Sequence, residues 1–200
     1  MFHRPLAGLL ALALFPLTAD AQTLVNGGHV SGVIAAPGQV DVWTFTANAG
    51  EGFQLSMVDL GGGAFWPGFE VFEPGGASLV SANWQEVIGV EQVAPASGTY
   101  TVHAFDASGS GLTAAYELHL VRAPGADELG ALPNGGSVTS SLTKGDLDSY
   151  TFHANAGDAI HLRASDQSGS ALEIGLNLFY PDGAPHGSYA YGPVVGSLEL

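Results

Sequence analysis

Three groups of side chains in this sequence have types and spacings that bear on chemistry. The first is carboxylate. Asp146-Leu147-Asp148 places two acids ahead of an apolar alternation, and clustered oxygen ligands in loops are what Ca²⁺ favours. An Asp at a turn also bonds backbone amides without any metal. The second group is imidazole. His103, Glu117 and His119 lie on two alternating runs that a terminal hairpin would bring together, a trio able to take a transition metal. Alternation alone also puts polar groups on an outer strand face. The third group is aromatic. Phe65, Trp66 and Phe69 follow Gly61-Gly62-Gly63, and Trp84 comes later. Exposed, such rings stack on sugars; buried, they pack as a lid on the end of a β-structure.

Catalytic signatures fail. There is no G-x-S-x-G, no H-E-x-x-H and no phosphate-cradling G-x-x-x-x-G-K. Glycoside cleavage needs two acids across a cleft, and nothing in the sequence places such a pair. The expectation is therefore a non-enzyme without a required cofactor, with calcium at Asp146 and Asp148 as an option. The weak ligand-binding candidates are Phe65, Trp66, Phe69 and Trp84.

Composition narrows the partners. Lys and Arg total 4 against 19 acids, a net charge of −15. Such a surface repels nucleic acid and anionic membranes. The start reads as a secretory signal: Arg4, a short apolar run from Leu6 to Leu17, then Ala19-Asp20-Ala21. Cleavage is expected after Ala21, which places the protein in the periplasm or outside the cell. There is no cysteine, so an exported domain here rests on its apolar core rather than on disulfides.

The elements that position these residues are written twice. WTFTANAG (Trp43–Gly50) returns as YTFHANAG (Tyr150–Gly157). In the same register Gly38, Asp41 and Trp43 match Gly145, Asp148 and Tyr150, and Asp59 matches Asp166. Phe72-x-Pro74-x-Gly76 matches Phe179-x-Pro181-x-Gly183. The aromatic loop does not repeat, because Leu172-Glu173 stands where Phe65-Trp66 stood. Nor do the histidines, since Thr46 and Gln54 stand where His153 and His161 fall. Period-two alternation marks strands: Trp43, Phe45 and Ala47; Phe53, Leu55 and Met57; Phe69 and Val71; Tyr100, Val102 and Ala104; Tyr116, Leu118 and Leu120. Short strands between Gly/Pro turns predict a β-sandwich or barrel.

The order of these features, a Gly-x-x-Asp-x-Trp/Tyr-Thr-Phe strand, an Ala-Gly turn, an apolar strand, a Phe-x-Pro-x-Gly turn and a closing Ala96-Ser97-Gly98-Thr99-Tyr100-Thr101-Val102, resembles the bacterial pre-peptidase C-terminal domain family. The resemblance covers nearly all of the first unit and two thirds of the second. It implies β-sandwich appendages of exported proteins, without catalytic residues, that assist secretion or bind polysaccharide or matrix protein; some relatives bind calcium. No peptidase segment precedes the units here.

The expected layout is a signal peptide (1–21), a jelly-roll-like β-sandwich module (22–123), a linker (124–131) and a second module (132–200). That second module lacks counterparts of the last two strands, because Val93 corresponds to Leu200. A half-built sandwich exposes edges and apolar faces. Three readings are open: a chain continuing beyond Leu200, strands exchanged with a partner, or a partly folded unit. The expected function is a non-catalytic exported binding or accessory module for polysaccharide or cell-surface protein. The alternatives are a spacer or adhesin-like repeat, or the appendage of a secreted hydrolase.

Overall fold

The computed structural model describes residues 22–124, 129–169, 172–192 and 198–199. The expected signal peptide and residues 125–128 of the linker lie outside the described residues. The described chain is all β. Nine strands build the first half: β1 (Gln22–Thr23), β2 (Gly28–Ile34), β3 (Val40–Ala47), β4 (Gly52–Asp59), β5 (Pro67–Phe72), β6 (Ser78–Asn83), β7 (Val87–Val93), β8 (Gly98–Asp106) and β9 (Ala114–Ala123). They form two sheets, ordered β1-β3-β8-β5-β6 and β2-β9-β4-β7. Every pairing is antiparallel except the short β1–β3 contact. Leaving β1 aside, this is the two-sheet, eight-strand order of a jelly roll.

The period-two alternation explains the core. Trp43, Phe45, Leu55, Met57, Phe69, Val71, Tyr100, Val102, Tyr116, Leu118 and Leu120 all point between the sheets and are buried. Phe45 stacks on Tyr100 at 5.2 Å and meets Phe53 at 5.1 Å. The motif Gly38-x-x-Asp41-x-Trp43 has a concrete task. Trp43 Nε1 donates to the Tyr116 hydroxyl (2.8 Å), which donates to Asp41 Oδ2 (2.7 Å). Gln39 Nε2 donates to the other carboxylate oxygen (2.7 Å). Because β3 and β9 belong to different sheets, this chain of bonds ties the sandwich together across its core. Burial and the Asp41 carboxylate push the Tyr116 hydroxyl far above its ordinary ionisation range.

The second half repeats the turns. Gly50 and Gly157 both sit at φ 90°, where glycine carries no steric penalty. The Asn48 amide bonds Glu51 (2.7 Å) as the Asn155 amide bonds Asp158 (2.8 Å). Glu73 N reaches Ala77 O and Tyr180 N reaches Ala184 O, each at 2.8 Å.

Only some ladders repeat, and which ones is informative. In the first half β8 and β9 are interior strands, flanked on both sides. Among the described residues of 132–199 no strand corresponds to either. The ladders that form are those needing neither. The hairpin β11 (Ile174–Phe179) with β12 (Pro185–Gly192) mirrors β5–β6, and β10 (His161–Leu162) with β13 (Leu198–Glu199) mirrors β4–β7. A parallel bridge, Ala131 to Thr151, mirrors β1–β3. The counterparts of β2 and β3 make no ladder among the described residues. Tyr150 and Phe152 are therefore half-buried, where a closed sandwich would bury them as it buries Trp43 and Phe45.

The second half leans on the outer face of the β2-β9-β4-β7 sheet. The Ser56 hydroxyl donates to Gly145 O (2.5 Å). Gly52 faces Gly183 O and the Phe179 ring so closely that a Cβ there would collide with both. This is why β4 is buried along almost its whole length, rather than alternating as its sequence predicts.

Candidate binding site

The four aromatic candidates divide in two. Phe65 and Phe69 are buried in the core and offer no surface to a ligand, which corrects their inclusion among the ligand-binding candidates. Trp66 and Trp84 are 41% and 62% exposed. Their ring centroids are 5.0 Å apart with the planes tilted by 54°, a packed pair. The topology brings them together. Trp66 precedes β5, Trp84 follows β6, and the β5–β6 ladder pairs Gly68 with Asn83 at that end. Sequence separation hides this neighbourhood; the hairpin creates it.

Both rings stand on fixed backbone. Phe65, anchored in the core, precedes Trp66. The Trp66 carbonyl accepts from Ala107 N (2.8 Å), and its amide donates to the Asp106 carboxylate. Burial alone would push that carboxyl up, but hydrogen bonds from Ser108, Leu112 and Trp66 hold it below its ordinary range. Trp84 has φ 85°, the one positive φ at a non-glycine position among the described residues. That conformation costs an L-residue ~1–2 kcal/mol. An exposed tryptophan held there is an outlier of the kind found at ligand clamps.

Beside the pair runs a cleft of about 380 Å³ lined by Ser81, Asn83 and Gln85 with Ala82, Val87, Ile88 and Gly89. It lies between β6 and β7, the edge strands of the two sheets. Among the described residues each has a ladder partner on one side only, which leaves edge amide and carbonyl groups outside any ladder. Every lining residue is uncharged. The nearby Glu86 carboxylate is paired with Lys144. The site thus combines two aromatic faces, a hydroxyl, two carboxamides and open backbone, which is the chemistry of hydroxyl and sugar-ring recognition.

The carboxylate candidates lie elsewhere. Asp146 Oδ1 is 3.2 Å from His119 Nδ1 and accepts from Leu147 N (3.0 Å). Burial raises the Asp148 carboxyl above its ordinary range; a Ser140 hydrogen bond opposes this and the Asp146 charge adds to it. Among the described residues, no group of three or more His, Cys, Asp or Glu side chains is placed to hold a metal ion.

The histidine trio is redrawn. His103 is on β8 and Glu117 on β9, strands of different sheets, so the expected facing pair does not form. β8 and β9 are consecutive, but the jelly roll sends them to opposite layers. His103 packs instead on Phe72, with ring centroids 4.7 Å apart. His119 is 3% exposed, with Asp146 on Nδ1, Glu117 Oε2 3.6 Å from Nε2, and the His29 ring at 5.3 Å. Its Nε2 makes no hydrogen bond. Burial lowers its basicity; Asp146 and Glu117 oppose that and His29 reinforces it. Sequence reasoning missed this cluster because Asp146 arrives from the other repeat.

No family model and no curated protein matches this chain. Among solved structures it is similar to the pre-peptidase C-terminal domain of collagenase from Bacillus anthracis, at 13% identity and TM-score 0.43, covering 50% of this chain and 94% of that one. It is also similar to PliG, a periplasmic inhibitor of g-type lysozyme, from Aeromonas hydrophila, at 19% identity and TM-score 0.41, covering 52% and 97%. The Salmonella Typhimurium PliG structure follows at 15% identity and TM-score 0.37, covering 51% and 99%.

Proposed function

We propose that this chain is an exported, non-catalytic binding protein that holds polysaccharide on the Trp66–Trp84 face of a jelly-roll module. The observation that carries the reading is the exposed tryptophan pair on fixed backbone, with Trp84 in a strained conformation beside an uncharged cleft. Apolar rings of this size are costly to leave in water, and the pair does not serve the core. The N-terminal signal pattern supports export. The repeated turns, and the ladders that recur wherever β8 and β9 are not required, support reading residues 132–200 as a second module of the same kind without its last two strands.

The test is retention on a panel of immobilised soluble and insoluble polysaccharides. The parent protein is retained on at least one of them. Trp66→Ala and Trp84→Ala pass through while keeping the parent's circular dichroism. A parent retained on none, or variants retained as well as the parent, would refute the reading.

A further inference from the structure

We propose that the ligand of this site is a single, uncharged polysaccharide chain that leaves the Trp66–Trp84 pair and runs into the cleft between β6 and β7. This deepens the polysaccharide reading and rests on it.

Ring geometry selects the physical form of the ligand. Aromatic side chains that grip a flat crystalline face must lie in one plane, so that all rings meet it together. Trp66 and Trp84 are tilted by 54° with touching rings. A flat lattice can lie on one of them only. Successive sugars of a free, twisted chain present faces at different angles and can meet both.

Charge selects the composition. The chain carries −15, which repels polyanions before contact. The cleft has no basic residue to hold a uronate or sulfate, because all its lining residues are uncharged. What it offers is the Ser81 hydroxyl, the Asn83 and Gln85 carboxamides and the open strand edges, donors and acceptors suited to neutral hydroxyls. The cleft is an open groove lined by Asn83 and Gln85, the residues on either side of Trp84, so a chain stacked on Trp84 has these carboxamides next to it.

The experiment is affinity electrophoresis of the whole chain in native gels containing hydroxyethylcellulose, galactomannan, mixed-linkage glucan, polygalacturonate or alginate, alongside pelleting with microcrystalline cellulose and chitin. At least one uncharged soluble polymer retards the parent, while the polyanions do not and the crystalline solids do not pellet it. Trp66→Ala and Trp84→Ala each weaken retardation about tenfold, the scale of one lost stacked ring. Asn83→Ala and Gln85→Ala weaken it with unchanged melting. Tryptophan-dependent binding to polyanions or to crystalline solids would overturn this inference and leave the polysaccharide reading standing. Absence of binding to every polymer would overturn both. Carboxamide variants that bind as the parent does would remove the cleft from the site.

Discussion

Trp43 Nε1 donates to the Tyr116 hydroxyl across 2.8 Å of buried core, joining the second strand of one sheet to an interior strand of the other. Asp41 completes the line by accepting from that hydroxyl at 2.7 Å. Tyr116 lies 73 and 75 positions from Trp43 and Asp41 in sequence, and the two sheets of the sandwich are tied where the three meet.

Tyr116→Phe removes the shared hydroxyl and leaves the Trp43 N–H buried without its acceptor. A loss of ~1–3 kcal/mol is expected, read as a lower urea midpoint with an unchanged slope. An unchanged midpoint would mean that the line of bonds is incidental to stability.

Trp84 separates strain from contact. Trp84→Ala loses the Trp66 contact and keeps the positive φ. Trp84→Gly loses the same contact but relaxes the backbone. The glycine variant is expected to be more stable than the alanine variant by about 1 kcal/mol in thermal or urea unfolding, although both bind more weakly than the parent. Equal stabilities would remove the argument that Trp84 is held against its own preference.

His119 gives a pH signature. Burial holds its folded-state pKa below the ordinary 6.5, so the unfolded chain binds the proton more readily. The stabilisation from neutral His119 is therefore complete above the ordinary value and is lost as pH falls through the folded one. The parent's unfolding free energy is expected to fall more steeply than that of His119→Gln between about pH 7.5 and about pH 5. Parallel curves would show that the imidazole, though bounded by Asp146, Glu117 and His29, does not set this dependence.

Gly52 tests how the second half sits on the first. A methyl group there meets Gly183 O and the Phe179 ring, an overpacking worth ~1–3 kcal/mol at that contact. Gly52→Ala is expected to hasten proteolytic cleavage within 129–199 while the 22–123 fragment survives. Equal cleavage rates would mean that this contact does not hold the second half.

Much of the fold was legible because strand periodicity is local. Trp43, Phe45, Leu55, Val71 and Tyr116 could be assigned to an inner face from alternation alone, and the turns from their glycines and prolines. The partners of strands were less so. His103 and Glu117 looked like neighbours because the strands bearing them are consecutive, and only the jelly-roll crossing separates them. Burial of the outward residues of β4 was not legible either, since the covering groups Gly145 and Phe179 come from the other repeat. At the site, the composition of the aromatic loop was visible, but its division was not. Phe65 and Trp66 are adjacent, and which of two adjacent side chains turns inward depends on how the loop enters β5.

The most direct test of the binding account uses the three tryptophans of the chain as three indole N–H signals in a nitrogen-correlated proton spectrum. During titration with an uncharged soluble polysaccharide that retards the protein, the signals of Trp66 and Trp84 are expected to shift together and saturably. The Trp43 signal, buried and bonded to Tyr116, is expected to stay in place. Saturable binding that leaves Trp66 and Trp84 unmoved would contradict the account and place the ligand elsewhere on the molecule.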